Sequence, residues 1–176
     1  MFTAGDLVVY GGEGVCRVDG VGTIATPGGD KGRAYYTLSP LYRSGQVMTP
    51  VDTGVLMRPA MTAAEAAAFL EQLPQLPPEE PVGDTQRTVK EHYHTVVTSY
   101  DCRRMAAMIK YICRRRLWAR QHNRKVSQLD ERYLRRAEEQ LYGELAAALS
   151  LERQTVCQYI QQYYPAWPEA VGDKRI

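Results

Sequence analysis

The residues with the clearest chemical potential form a basic stretch in the third quarter of the chain. Residues 101–140 contain twelve Lys and Arg against five Asp and Glu, which gives a net charge of +7. Arg114, Arg115 and Arg116 are consecutive, and Tyr111 and Trp118 flank them. Guanidinium groups bind phosphate as a fork, and planar rings pack against sugars and bases. On the residues alone, nucleic-acid contact and an exposed, solvated helix face are equally good interpretations of this stretch.

Residue patterns that would support catalysis or metal binding do not occur in the sequence. His92 and His94 lie two apart, which on a helix places them on different sides and favours a structural or surface role. No Ser/His/Asp pattern and no phosphate-binding GxxxxGK[ST] motif is found. The cysteines lack a Cys-x-x-Cys spacing, which predicts reduced, mostly buried thiols: Cys16, Cys102, Cys113 and Cys157. We therefore expect a non-enzymatic protein with no catalytic residues, no metal, no cofactor and no small-molecule substrate.

The rest of the chain carries a net charge of −5, which offsets most of the charge of residues 101–140. Residues 1–60 are neutral and residues 61–100 carry a net charge of −4, within a total of +2 over 176 residues. A hydrophobic content of 44% is enough for at least one core. No apolar run of about eighteen residues occurs, and the first residues lack the pattern of a secretion signal, so a cytoplasmic protein without a membrane span is expected.

Short β-like runs fill the first sixty residues. The opening stretch GDLVVYGGEGVCRV places three glycines within four residues between two such runs, which is typical of a hairpin. Five strands are predicted, at Leu7–Tyr10, Val15–Val18, Val21–Ala25, Arg33–Leu38 and Gln46–Val51. Strands of this length and spacing favour a small SH3-like or Tudor-like β-barrel with an exposed edge strand that can pair with a strand of another protein.

Helical patterns follow, so the fold class is α+β with two modules. Residues 61–84 are predicted to form a helix, capped by Thr62 and Glu65, and then a proline-rich hinge, PQLPPEEPVGD. Residues 85–176 are predicted to form an all-α bundle, with one helix starting at Ser127 and a last helix capped by Ser150. Trp167 is expected to pack the tail onto this bundle.

Five segments resemble the CarD family of bacterial RNA-polymerase-binding transcription regulators. Three lie in the first module: FTAGDLVVYGGEGVCRVDGVG, YYTLSPLYRSGQVMTPVD and VLMRP. Two lie in the helical part: SYDCRRMAAMIKYICRRR and KVSQLDERYLRRAEEQLYGELAAAL. Transcription-repair coupling factors share the N-terminal domain of this family alone, so the two-part match favours a CarD-like regulator.

For residues 1–60, the resemblance implies a Tudor-like RNA-polymerase-interacting domain. Such a domain docks on the polymerase β subunit by strand pairing, with main-chain hydrogen bonds giving affinity and side chains giving specificity. The residues that the resemblance assigns to this contact are Arg43, Gln46, Val47, Met48, Thr49 and Pro50. Met48 stands where relatives often carry an arginine.

For residues 85–176, the resemblance implies a helical domain that meets promoter DNA near the upstream edge of the melted bubble. The candidate phosphate contacts, at helix starts and ends, are Arg87, Arg103, Arg104, Arg114 and Arg115. Gln86 stands about where relatives carry a tryptophan that wedges into the minor groove, and glutamine fills such a gap poorly. Residues 117–121 resemble an insertion relative to many family members.

These expectations describe a regulator that binds the polymerase β subunit and promoter DNA and stabilises an open initiation complex. No recognition-helix motif is apparent, so DNA binding without sequence readout is expected. The main alternative is an adaptor whose helical part recruits another protein and does not touch DNA. A third alternative, an RNA-binding barrel, would need basic strands with exposed aromatics, which the neutral first sixty residues do not favour.

Overall fold

Two units make up the chain, residues Met1–Ala60 and Met61–Ile176. The computed structural model describes residues 1–23 and 32–168. The first unit is an antiparallel β-sheet and the second is helical, so the α+β class is confirmed.

Five antiparallel strands in the order β4-β3-β2-β1-β5 form the sheet. Their bounds are β1 Leu7–Tyr10, β2 Gly14–Thr23, β3 Ala34–Pro40, β4 Val47–Pro50 and β5 Met57–Pro59. The turn between β1 and β2 contains Gly12 at φ 93° and Gly14 at φ 79°. Residues other than glycine rarely adopt such positive φ angles, which explains the glycine-rich opening of the sequence. The core of the sheet consists of six buried residues: Val8, Tyr10, Cys16, Val18, Tyr36 and Leu38.

The second and third predicted strands form one continuous strand. β2 runs through both, with a shift in register between Val18 and Gly20 where it pairs with β3. Ile24 and Ala25, the end of the predicted third strand, lie outside the described residues. The three-residue β5 was not predicted, because Met57 and Arg58 before a proline give no alternating pattern to detect.

The predicted SH3-like or Tudor-like β-barrel is confirmed as a five-stranded antiparallel sheet, but this sheet does not close into a barrel in the part of the chain that the structure describes. Among the strands that the structure describes, β4 pairs with β3 alone and β5 pairs with β1 alone, so the sheet is open. Both edge strands are short and contain a proline, Pro50 in β4 and Pro59 in β5. Proline lacks the N–H group that a further pairing needs, so it is typical of a sheet edge.

Between residues 61 and 168, the second unit consists of five α-helices and two 3₁₀ turns. The helices are α1 Ala63–Gln72, α2 Gln86–Ser99, α3 Cys102–Gln121, α4 Gln128–Leu149 and α5 Val156–Tyr163, and the 3₁₀ turns are Leu73–Gln75 and Arg153–Thr155. Apolar faces of all five helices meet in one core, which also contains the buried Trp167. Trp167 donates from Nε1 to the Tyr142 hydroxyl at 3.0 Å, so the predicted packing of the tail is present. Within the described ranges, no helix combines the length and hydropathy needed to cross a membrane.

Two of the three helix N-caps predicted from the sequence, Thr62 and Ser127, are present. The Thr62 hydroxyl accepts the Glu65 N–H and the Glu65 carboxylate accepts the Thr62 N–H, which is a complete capping box. Ser127 caps α4 as predicted. Ser150 does not begin the last helix: it ends α4 in a left-handed conformation at φ 54°, and α5 starts at Val156 after a 3₁₀ turn. Serine is a preferred N-cap residue, which is why Ser150 was predicted to begin a helix, whereas here it ends one.

Residues 61–84, the predicted helix and proline-rich hinge, belong to the helical unit. Four residues of this stretch are buried in the helical core: Ala66, Phe69, Leu70 and Leu73. The proline-rich segment, residues 74–84, lies on α3, where the Glu79 N–H donates to the Ala107 carbonyl at 3.1 Å. The Lys110 ammonium donates to the Leu76 carbonyl at 2.8 Å and also to the Leu73 carbonyl. The extended chain after the 3₁₀ turn Leu73–Gln75 therefore packs against α3.

Candidate functional site

The β4 edge presents main-chain groups whose direction follows from the register. The Val51 N–H donates to the Ala34 carbonyl at 3.0 Å, so these opposed residues form a hydrogen-bonded pair. In an antiparallel ladder, hydrogen-bonded pairs alternate with pairs in which the two opposed residues form no main-chain hydrogen bond with each other. Pro50 and Met48 therefore lie at non-bonded positions opposite Tyr35 and Thr37, and their main-chain groups point away from β3.

This register divides the predicted polymerase-binding residues into two groups. Met48 directs both its N–H and its C=O to the free edge, and its side chain is 56% exposed. Pro50 offers a carbonyl but no N–H. Thr49 points into the sheet, where it is buried and its Oγ1 lies 3.0 Å from the Tyr10 hydroxyl, and Val47 packs on the same core. Met48 is therefore the strand residue best placed to meet a partner by both main chain and side chain.

The two remaining predicted residues lie in the exposed loop that leads into β4. The Gln46 amide donates to the Asp19 carboxylate at 3.2 Å, and Arg43 lies 3.6 Å from Glu13. Hydrogen bonds from Ser39 chiefly, and then from Arg17, hold the pKa of the Asp19 carboxyl below its ordinary value. A charged Asp19 thus ties the start of β4 to β2 and β3 and fixes the edge in place.

Five further large apolar side chains of the first unit are exposed, and none of them was predicted as a site residue from the sequence. They lie in the β3–β4 loop, in β2 and before β5: Leu41, Tyr42, Val21, Val55 and Leu56. Large exposed apolar side chains are characteristic of interaction surfaces when they cluster. Their signal in the sequence was weak, because short apolar runs next to turns look the same whether they are buried or exposed.

The five predicted DNA-binding arginines occupy three places in the helical unit. Arg87 lies in the first turn of α2, Arg103 and Arg104 lie in the first turn of α3, and Arg114 and Arg115 lie in its second half. At 1.5 Å per residue, the two groups on α3 are about 16 Å apart along the helix axis. The structure therefore does not bring the five side chains into one cluster.

Two of these arginines pair with glutamates of the proline-rich segment. Arg104 donates from Nη2 to Glu79 at 2.6 Å and from Nε to both carboxylate oxygens at 3.2 and 3.3 Å. Arg114 pairs with Glu80. The acidic part of the sequence thus partly neutralises the basic part, which the charge count alone could not show. Arg104 is the more constrained, because its pair is bidentate and partly buried.

Arg115 supports a buried carboxylate. Its Nε lies 3.2 Å from Asp130, whose side chain is 4% exposed and also accepts a hydrogen bond from the Tyr93 hydroxyl at 3.1 Å. Burial raises the pKa of Asp130 above its ordinary value, against the opposing effect of Arg115. Arg115 therefore has a structural role in addition to any contact with a ligand.

Arg87 and Arg103 are exposed and have weaker partners. Arg87 pairs with Glu91 at 2.9 Å in an i,i+4 arrangement, and Arg103 donates to the Gln72 side chain. Exposed pairs of this kind contribute about 0–1 kcal/mol, so exchange of the partner for a phosphate costs little. Gln86, at the position of the family tryptophan, is exposed at the first residue of α2.

A pocket of about 380 Å³ lies between the end of α3 and the start of α4. We call it the basic pocket, because five cationic side chains and one carboxylate, Asp130, line it together with Trp118. The cations are Arg114, Arg115, Arg116, Arg124 and Lys125. No group of three or more His, Cys, Asp or Glu side chains suited to a metal ion occurs among residues 1–23 and 32–168.

An open antiparallel sheet with an available edge strand is typical of a protein-interaction module, and the comparison with known families agrees. Residues 2–61 match the family model of the CarD-like/TRCF RID domain. The first unit is therefore similar to a CarD-like domain, and this similarity supports an interaction with RNA polymerase in transcription. A comparison with curated proteins found no match.

Proposed function

We propose that the protein is a non-enzymatic transcription regulator that binds the β subunit of RNA polymerase through β4 and promoter DNA through its helical unit. The observation that carries this proposal is the match of residues 2–61 to the CarD-like/TRCF RID domain. The open edge of that domain supports the mode of binding. A partner strand would extend the sheet beyond β4, pairing first with the main-chain groups of Met48.

The DNA part of the proposal depends on the basic α3 and on the start of α2. Arg87, Arg103 and Arg114 are exposed, and their present partners lie at the surface, so phosphates can replace them. Such contacts carry no sequence information. They become effective when the polymerase holds the protein beside the promoter, because tethering raises the local concentration of a weak binder. Retention of promoter DNA in this way would stabilise the open complex.

The first test measures binding of the full chain to a fragment of the polymerase β subunit by titration calorimetry. Saturable binding is expected, with an affinity that is insensitive to substitution of the α3 arginines. If no heat of binding is found with the fragment or with the complete polymerase, the assignment of the partner is wrong.

The second test measures the affinity for duplex DNA as a function of salt concentration. About four phosphate contacts would give a slope near −3.6 in a plot of log K against log salt concentration. Charge reversal of Arg114, with its partner Glu80 unchanged, should weaken binding without loss of helicity, since both side chains of this pair are more than half exposed.

An adaptor whose helical unit recruits another protein is the second candidate. The observation in its favour is that each of the five predicted DNA-binding arginines already has a partner within the unit. Gln86 in place of a tryptophan points the same way. An adaptor would show a flat salt dependence with DNA and no DNA retention in the polymerase complex.

A further inference from the structure

The basic pocket combines features that the proposed function does not use. It is built by a fixed turn: Asn123 adopts a left-handed conformation at φ 51°, and the Arg124 N–H donates to the Ala119 carbonyl at 2.7 Å. This turn carries Arg124 and Lys125 back towards α3. Ser127, the N-cap of the 22-residue α4, also lines the pocket, so the positive end of that helix dipole faces it.

The cations of the pocket are incompletely neutralised. The one lining carboxylate, Asp130, is already in contact with Arg115 and Tyr93. Arg124 and Lys125 are exposed, and no carboxylate in the described part of the chain forms an ion pair with either. The Arg116 Nε is buried without a hydrogen-bond partner among the described residues. Arg114 is paired with Glu80, so Arg124, Lys125 and the Arg116 Nε are the lining donors that remain for a phosphate group.

An aromatic ring stands beside these cations. Trp118 is 55% exposed although His122 stacks on it, with ring centroids 4.5 Å apart and an angle of 23° between the planes. The His122 Nδ1 lies 2.8 Å from the Trp118 carbonyl, which fixes the imidazole in this position. A large exposed tryptophan in a basic surrounding is a platform for a planar ring, and every nucleobase offers one.

We propose that the basic pocket binds a nucleotide, with its phosphate on the pocket cations and its base stacked on Trp118. A pocket of about 380 Å³ is at the small end of the range for ligand sites, which suits a single nucleotide unit. The unit comes either from a free nucleoside phosphate or from single-stranded DNA. This inference goes beyond the proposed function, because it requires neither polymerase binding nor contact with duplex DNA.

Tryptophan fluorescence of the full chain tests the proposal directly. The chain has two tryptophans, and Trp167 is 2% exposed, so a ligand that stacks on Trp118 quenches the exposed fluorophore. ADP and a short oligodeoxyadenylate are the probes, since they share one base and differ in source. We expect saturable quenching by at least one of them. Quenching by ADP assigns the pocket to free nucleotides, and quenching by the oligonucleotide alone assigns it to single-stranded DNA.

Two variants separate the pocket from the general basic surface. Arg124→Ala removes a pocket cation and should weaken binding about tenfold, the value of one charge-assisted hydrogen bond. Arg120→Ala removes an exposed arginine of α3 that does not line the pocket, and it should leave the affinity unchanged. Trp118→Ala, measured by calorimetry, should weaken binding about 5-fold or more, the low end for base stacking.

Absence of quenching by both probes would overturn the proposal, and so would an equal loss of affinity in the Arg120→Ala and Arg124→Ala variants. Binding to duplex DNA and to the polymerase fragment, measured on the same samples, reports on the proposed function separately. A failure of the nucleotide site is therefore distinguishable from a failure of that function.

Discussion

Replacement of Met48 by proline tests whether the partner strand pairs with the free edge of β4. The Met48 N–H points away from β3, so its loss breaks no hydrogen bond of the sheet. Proline is compatible with such an edge position, as Pro50 shows two residues further along the same strand. We therefore expect the variant to fold with a stability within about 1 kcal/mol of the wild type.

The effect on binding should be much larger than the effect on stability. A partner strand paired at this position loses one main-chain hydrogen bond, and one of its carbonyl groups is left buried without a donor. An unsatisfied buried group of this kind costs about 1–3 kcal/mol, which corresponds to a loss of about 5- to 150-fold in affinity. Calorimetric titration of a polymerase β-subunit fragment into the full chain measures this loss.

Two further variants separate main-chain pairing from other effects. Met48→Ala removes the exposed side chain but keeps the N–H, so it should cost less than Met48→Pro. Thr49→Pro removes an N–H from a hydrogen-bonded pair with Tyr36 and should destabilise the sheet by about 3 kcal/mol. The reasoning is refuted if Met48→Pro folds and binds as tightly as the wild type, or if Met48→Ala weakens binding to the same extent.

Three more predictions concern the stability of the helical unit. Glu79→Gln removes the charge that Arg104 binds through two nitrogens and should lower the free energy of unfolding by about 1–2 kcal/mol in urea titrations. Burial lowers the pKa of His92 more than the nearby Glu79 raises it, so the wild type loses stability as the pH falls below about 6.5. His92→Asn should flatten this slope between pH 7.5 and 5.5, measured by urea titrations at each pH. Trp167→Phe removes the Nε1 donor from a buried tyrosine hydroxyl and should lower the melting temperature, with a cost of about 2 kcal/mol.

Much of the fold could be predicted because local signals and burial agree. β1 carries a run of β-formers next to glycines with positive φ, and α1 begins with a complete capping box at Thr62. The start of α4 at Ser127 was predicted for the same reason. In each case the residues that stabilise the element lie within a few positions of one another in the sequence.

What could not be predicted depends on contacts between residues far apart in the chain. A barrel closes when the two edge strands of a sheet pair with each other. In the described sheet the edge strands β4 and β5 do not pair, and no local sequence pattern predicts this. The sequence shows that the prolines of the proline-rich segment end a helix, but it does not show where the segment packs. Its attachment to α3 depends on Lys110, more than thirty residues away, which donates to two of the carbonyl groups before and within the segment.

The same distinction applies to the candidate site. The position of the edge strand followed from the run Gln46–Val51, but the direction of the Met48 and Pro50 main-chain groups required the register with β3. Basic residues near the end of α3 were visible in the sequence. Their convergence with Trp118 on one pocket depends on the turn at Asn123, whose left-handed conformation no spacing rule specifies.

The pairing of Glu80 with Arg114 bears on why the proposed regulator would need its polymerase-binding domain. A phosphate that approaches Arg114 does not meet a free cation, because it replaces a carboxylate that already lies there. The net gain is the difference between two exposed ion pairs, each worth about 0–1 kcal/mol, so a single exchange contributes little affinity. Several exchanges together still give weak, salt-sensitive binding. A helical unit of this kind would hold promoter DNA when the first unit anchors it to the polymerase, and it would leave other DNA largely unbound.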